Sequence, residues 1–180
     1  MRYLSLTLVL AFLAMPVSGQ AFMTDSGTAE FESSVPLHSF VGTSEVLVGR
    51  IALPDSTVDF YLDLETLDTG NGKRDKDMKK TLDTDEHPFA EFFGKLVSPF
   101  DPDGGQQEAR VVGSFSLHGV TREVEVSGTL EPTANGLQLN AAWELSLEDY
   151  DIVPPKLLII KVDPIQQVRI SALLTPESGT

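Results

Sequence analysis

Leu137-Gln138-Leu139-Asn140-Ala141-Ala142-Trp143-Glu144-Leu145-Ser146-Leu147 alternates apolar with polar residues for longer than any other part of the chain. Leu137, Leu139, Ala141, Trp143, Leu145 and Leu147 share one side of a period of two, opposite Gln138, Asn140, Glu144 and Ser146. A β-strand sends successive side chains to opposite faces, so this stretch is a strand with one face buried and one in water. The same period recurs on either side. Thr57–Glu65 sets Val58, Phe60, Leu62 and Leu64 against Thr57, Asp59, Asp63 and Glu65. Arg122–Leu130 sets Val124, Val126 and Leu130 against Glu123 and Glu125, and near the C-terminus Val168, Ile170, Ala172 and Leu174 alternate with Gln167, Arg169 and Ser171. Ala29–Val35, Ser44–Ile51, Phe89–Val97 and Arg110–His118 are shorter candidates that bring the number to eight. Pro54-Asp55-Ser56, Asp101-Pro102-Asp103-Gly104-Gly105 and Asn135-Gly136 supply turns between them. Hairpin-length connections between so many strands specify an antiparallel meander, and closure into a barrel removes its two open edges. The predicted fold class is therefore all-β, an eight-stranded antiparallel barrel. A barrel of that size encloses either packed side chains or one small ligand.

One segment breaks the period. Lys73–Leu82, after the third strand, is rich in helix formers, with Asp75 and Lys79 spaced to pair across one turn. Its apolar residues, Met78 and Leu82, form a narrow stripe, and Pro88 prevents extension. Gly70-Asn71-Gly72-Lys73 precedes it as a turn needing positive φ at Gly70 or Gly72, followed by the helix start. This short surface helix is placed to cap an end of the barrel. Asp149–Pro164, containing Pro154-Pro155, joins the last two strands and is placed to cover a rim.

The chain opens with Arg2, an apolar run from Leu4 to Ala14 and small residues at Val17-Ser18-Gly19 and Gly19-Gln20-Ala21. That is the pattern of a secretory signal peptide over residues 1–19, with cleavage after Gly19 or Ala21. The run is too short to span a bilayer, which takes roughly 20 residues. No cysteine stands at the mature start to carry a lipid anchor, and the mature barrel domain, residues 22–180, is expected to be exported and soluble. About 160 residues make one domain able to bury a core without staples, consistent with a chain that has no cysteine. With 27 acidic and 13 basic residues the net charge is −14, and −15 once Arg2 is removed. Such a surface repels nucleic acid and anionic headgroups. The strands' outward faces are polar, the reverse of a transmembrane barrel.

Reactive constellations are missing from the sequence. His38, His87 and His118 have no His or Cys at ligand spacing. Asp83-Thr84-Asp85-Glu86-His87 starts like a calcium loop but has Pro88 at the sixth position and Gly94 at the twelfth. No Gly-x-Ser-x-Gly elbow occurs, Gly70-Asn71-Gly72-Lys73 lacks P-loop spacing, and the paired carboxylates Asp75/Asp77 and Asp149/Asp151 belong to a generally acidic surface. No metal, cofactor or catalytic group is expected. What remains is the interior, where Phe31, Phe60, Phe92, Phe93, Phe115 and Trp143 occupy strand positions. In the fourth strand Phe89 and Phe93 compete with Phe92 for the inward place.

Several phrases, in order, resemble the YceI-like family. They are Phe40-Val41-Gly42 ahead of the second strand, Leu67-Asp68-Thr69-Gly70-Asn71 with Arg74-Asp75 opening the helix, and His87-Pro88 leading to Phe92. Gly113-Ser114-Phe115-Ser116-Leu117-His118-Gly119-Val120-Thr121 and Asp149-Tyr150-Asp151-Ile152 complete the set, which covers Phe31 to Thr175. The resemblance implies a lipocalin-like barrel, exported to the periplasm, without enzymatic activity, holding an isoprenoid or other long lipid in an elongated pocket. It departs from the family pattern at Ile152-Val153-Pro154-Pro155-Lys156-Leu157-Leu158, where many relatives have a glycine-rich phrase.

On this reading Phe31, Phe60, Leu62, Phe92, Phe115, Leu117, Trp143 and Leu145 line an apolar site. The expected partner is a lipid, and the acidic exterior favours a neutral head over a diphosphate. The rival expectation is a barrel with a filled core, an interaction or stress-response module whose exterior or helix docks a protein.

Overall fold

The computed structural model describes residues 21–35, 38–154 and 162–177; the expected leader, residues 1–19, lies outside them. Eight strands form the barrel: β1 (Ala21–Val35), β2 (His38–Ala52), β3 (Thr57–Asp63), β4 (Phe89–Leu96), β5 (Gln107–Leu117), β6 (Val120–Thr133), β7 (Gly136–Ser146) and β8 (Ile165–Pro176). Each pairs antiparallel with the next, and β1 pairs with β8 to close the ring. One helix, α1 (Gly72–Leu82), follows β3.

Two strands begin at least six residues before the alternation suggests. β1 starts at Ala21 rather than Ala29, because its register with β2 shifts on both sides of Gly27. A bulge of this kind bends a strand and breaks its period, so Asp25-Ser26-Gly27 looks like a turn in sequence. β2 starts at His38 rather than Ser44, and Phe40-Val41-Gly42 therefore lies within it. Gly42 weakens a strand in isolation, but here it sits directly opposite Phe31, whose ring covers it. Phe60 covers Gly49 in the same way, from β3 onto β2. An added Cβ would lie 2.2 Å from the Phe31 ring at Gly42 and 2.0 Å from the Phe60 ring at Gly49. These glycines let two aromatic rings lie flat against the wall.

β3 ends at Asp63, whose Oδ1 accepts from the Glu65 amide at 2.9 Å and starts a 3-10 turn over Leu64–Thr66. β7 likewise ends at Ser146, and Leu147–Tyr150 turns away. Both departures occur at the same end of the barrel. That end, the mouth, also carries α1 and the β5–β6 turn. The opposite end, the floor, carries the chain ends of the barrel at Ala21 and Pro176. There Leu137 and Leu174 face each other across β7 and β8, and Leu130 faces Leu139 across β6 and β7. Ile51, Leu130, Leu137 and Leu174 are at most 2% exposed. Leu137 and Leu174 plug the floor, and Ile51, Leu130 and Leu139 also border the lower of two interior cavities.

Candidate functional site

The mouth is assembled by two knots of hydrogen bonds. In the first, Gly70 takes φ +72°, and the Asn71 side chain caps α1 by accepting from the amides of Lys73 (3.1 Å) and Arg74 (3.2 Å). Asp75 accepts from the Thr69 amide at 2.9 Å and the Thr69 hydroxyl at 2.5 Å, while Arg74 donates to the Thr69 hydroxyl and carbonyl, each at 2.8 Å. The Asp75–Lys79 pairing expected from their spacing does not form. Thr69 takes Asp75, and Lys79 reaches Glu65 at 3.2 Å instead. The Thr69 hydroxyl holds the Asp75 carboxyl below the usual carboxylate range. Glu65 is held below it too, by the Thr84 hydroxyl first and Lys79 second. A pair of backbone bonds between Thr43 and Asp68 fastens this knot to β2.

The second knot joins two stretches far apart in sequence. Leu117 pairs with Val120 around a two-residue turn in which His118 (φ 53°) and Gly119 (φ 76°) are both left-handed, the geometry that suits the twist of a tight hairpin. His118 Nδ1 lies 3.1 Å from the Tyr150 carbonyl, a contact that needs the proton on Nδ1, and Arg122 Nε donates to the Asp149 carbonyl at 2.9 Å. The turn thereby pins Asp149-Tyr150-Asp151-Ile152 across the mouth, with Tyr150 and Ile152 buried. Tyr150 sits edge-on to Phe115 at 5.6 Å, and burial, more than nearby Asp149, pushes its hydroxyl above the ordinary tyrosine value.

Between these knots the interior is hollow. A cavity of about 420 Å³ lies under α1, walled by Met78 and Leu82 from the helix, Leu62, Leu64 and Leu67 from the adjoining segment, and Phe31, Phe40, Phe115, Leu117, Leu145 and Val168 from the strands. A second, of about 130 Å³, lies deeper toward the floor and is walled by Phe60, Phe92, Val124, Val126, Trp143 and their neighbours. Ala29, Leu62, Ala90, Phe115 and Val168 line both, so the two adjoin along the barrel axis. The upper space alone falls in the ~300–1,000 Å³ range of small-molecule sites. Pro154 and Val162 also wall it, which brings both described ends of the Asp149–Pro164 connection to the rim.

All eight residues selected from the sequence face these cavities. Phe31, Leu117 and Leu145 line the upper one, Phe60, Phe92 and Trp143 the lower one, and Leu62 and Phe115 both. In β4 the inward place goes to Phe92. Phe93 is 58% exposed, and Phe89 lies outside against Tyr61, edge-on at 5.9 Å. Phe93 is therefore no part of the interior aromatic group.

Several wall residues escaped the sequence reading. Phe40, Ile152 and Val168 are examples, and so are two polar residues, Ser33 and Gln166. Among the described residues the charged groups at this cavity are Lys73, Arg74 and Asp77 on α1 and Glu30 on β1. Arg74 is already engaged, with its guanidinium 4.2 Å from the centre of the Phe40 ring. Among the described residues no cluster of His, Cys, Asp or Glu is arranged to hold a metal, and no helix is long and apolar enough to cross a membrane.

Solved structures share this architecture. A polyisoprenoid-binding domain from Saccharophagus degradans implicated in plant cell wall breakdown superposes with a TM-score of 0.74 at 17% identity, over 89% of this chain and 99% of that one. BcnA of Burkholderia cenocepacia gives 0.65 at 12% identity, over 83% and 96%. The YceI protein of Campylobacter jejuni gives 0.56 at 10% identity, over 99% and 100%. Among curated proteins none matches the sequence. The YceI-like domain family, by contrast, matches residues 22–172. With nearly the whole barrel covered by that match and the same closed architecture in these neighbours, the chain belongs to the YceI-like domain family.

Proposed function

We propose that this protein is an exported binder of an apolar lipid, an isoprenoid-type or other long chain held in the barrel interior for storage or transport, and that it catalyses no reaction. The observation that carries the reading is the pair of adjoining apolar cavities, closed at the floor and open beneath α1. Each methylene withdrawn from water is worth ~0.8 kcal/mol, so a chain threaded along the axis binds tightly without a charged anchor. The polyisoprenoid-binding domain among its structural neighbours supports the same ligand class. Export to the periplasm rests on the leader-like pattern of residues 2–21 and on membership of this family. Cleavage after Gly19 would leave β1 whole, whereas cleavage after Ala21 would remove its first residue.

Mass spectrometry of an organic extract of the purified protein tests the reading. A co-purifying long-chain lipid, or uptake of an added polyprenyl chain, is the expected result. A clean extract together with no uptake would favour the rival, a barrel that docks a protein through its exterior. The net charge further favours a neutral head such as a quinone, and tighter binding of a polyprenyl diphosphate in direct competition would overturn that preference.

A further inference from the structure

Ser33 is the one buried side chain among the described residues with a polar atom that has no hydrogen-bond partner. It is 1% exposed and lines the upper cavity. Stranding a buried hydroxyl costs a fold on the order of 1–3 kcal/mol, so an orphan of this kind calls for a partner that arrives later. Its surroundings limit what that partner is. Ser33 lies opposite Phe40 on β2. On the other side, β1 and β8 pair Phe31 with Val168 and Glu32 with Gln167, so the next step of that register brings Ser33 level with Gln166. Gln166 is also buried, at 5% exposure, and lines the same cavity. Its Nε2 donates to the Asp163 carbonyl at 2.5 Å, which leaves Oε1 as the atom it offers elsewhere. A serine and a glutamine thus hold neighbouring register positions in the strand wall of the upper cavity, near the mouth, and the cations that line this cavity among the described residues, Lys73 and Arg74, belong to α1.

We infer that Ser33 and Gln166 form a polar subsite that receives a neutral hydrogen-bonding oxygen of the bound lipid, a hydroxyl or a carbonyl. The Ser33 hydroxyl donates to a carbonyl or accepts from a hydroxyl, and Gln166 Oε1 accepts from a hydroxyl. The inference rests on the lipid-binding reading and adds to it where the ligand's polar end lies and what it carries. A diphosphate suits the wall badly. It would bring charge against a hydroxyl and an amide acceptor, whereas the cations Lys73 and Arg74 stand at the rim.

The test compares geranylgeraniol with the same chain bearing hydrogen in place of the hydroxyl, on the full mature protein and on Ser33→Ala. Wild-type protein should prefer the alcohol by about 3- to 10-fold, the worth of one net hydrogen bond. Ser33→Ala should lose most of that preference while binding the hydrocarbon as before. The ligand-free variant should melt at the same temperature or higher, because an unsatisfied group has been removed; a lower melting temperature would mean the hydroxyl serves the fold and would overturn the subsite. Equal affinity of both chains for wild-type protein would overturn it too, while leaving lipid binding intact. Failure of both chains to bind would instead bring down the lipid-binding reading itself. Tighter binding of geranylgeranyl diphosphate, abolished by Lys73→Ala, would move the polar end to the rim and refute the inference.

Discussion

At the floor of the barrel Leu137 and Leu174 meet across β7 and β8 with almost no solvent contact, whereas at the mouth Phe31, Phe115 and Leu145 face a cavity of about 420 Å³. Both sets come from alternating strands, and β7 supplies a member of each. A period of two says which side chains point inward; it does not say whether they meet. The two longest connections, β3 to β4 and β7 to β8, both lie at the mouth. The β6–β7 turn at the floor is two residues long, and the aliphatic side chains above it close on one another. At the mouth the chain leaves β3 and β7 through 3-10 turns, and the two knots spread α1 and the Asp149–Ile152 segment across the opening like struts. The sequence phrases shared with the family fall mainly at this end. They specify how the mouth is held, and the floor needs only bulk.

The sharpest way to break the contrast is to open the plug. Leu174→Ala removes a side chain with no exposure from a wall that cannot collapse onto it, and should cost about 2–5 kcal/mol of unfolding free energy. Chemical denaturation checks the cost, and a lipid-uptake assay should show binding retained. Comparable loss of uptake would mean that the floor, too, belongs to the binding surface.

A smaller effect is expected where rings lie on glycines. Gly49→Ala puts a methyl 2.0 Å from the Phe60 ring and drives the ring toward the lower cavity. Overpacking of this kind costs about 1–3 kcal/mol, and the displaced ring should also shorten the longest chain the protein accepts. Unchanged stability with unchanged chain-length selectivity would show that the wall gives way instead.

Ala90 sharpens the comparison further, because it stands where the two cavities adjoin. Ala90→Phe should leave the fold near its original stability, since the ring enters empty space, while keeping long chains from passing toward the floor. Each methylene left in water forfeits ~0.8 kcal/mol, so excluding two weakens a long chain by roughly tenfold. Short chains, held under α1 alone, should bind as before. A titration series over chain length in wild-type and variant protein reads this directly, and a uniform loss at all lengths would count against the two-chamber geometry.

How much of this was legible in the sequence follows from the same distinction. The inward phase of β3 and β7 could be read because polar residues mark the opposite face, and Phe60 and Trp143 stand where the period puts them. The phase of Phe92 and Phe115, by contrast, stayed open until the register with neighbouring strands set it. Strand length failed where backbone geometry intervened, at the Gly27 bulge of β1 and at Gly42 in β2, whose covering ring comes from another strand. The Asp75–Lys79 spacing is correct for a pair, but Thr69, six residues away in sequence, is a nearer partner in space. Ser33 and Gln166 carried a usable signal. Each lies two residues from an inward position, Phe31 and Val168, so the period alone places both inside. They escaped notice because a small hydroxyl or an amide in a strand is ordinarily taken for surface.

Acid provides the gentlest separation of the two ends. Asp75 and Glu65 have carboxyl groups held below the usual range by the Thr69 and Thr84 hydroxyls, with Lys79 assisting at Glu65. A carboxyl lowered in the folded state contributes stability above its unfolded value and loses it as pH falls through the folded one. The mouth knot is therefore complete at neutral pH and loosens below the ordinary carboxylate range, near pH 4. Glu65 is exposed and Asp75 only partly buried, so the change is in local opening rather than in global unfolding. Hydrogen-exchange protection factors, referred to the intrinsic rate at each pH, should fall across Thr69–Leu82 in acid while Leu137 and Leu174 stay protected. Glu177 is lowered too, by Arg50 at 2.9 Å, but that pair ties the outer edge of β8 at the floor and does not enter the plug. Protection lost equally at both ends would show that the mouth has no acid-sensitive fastening of its own.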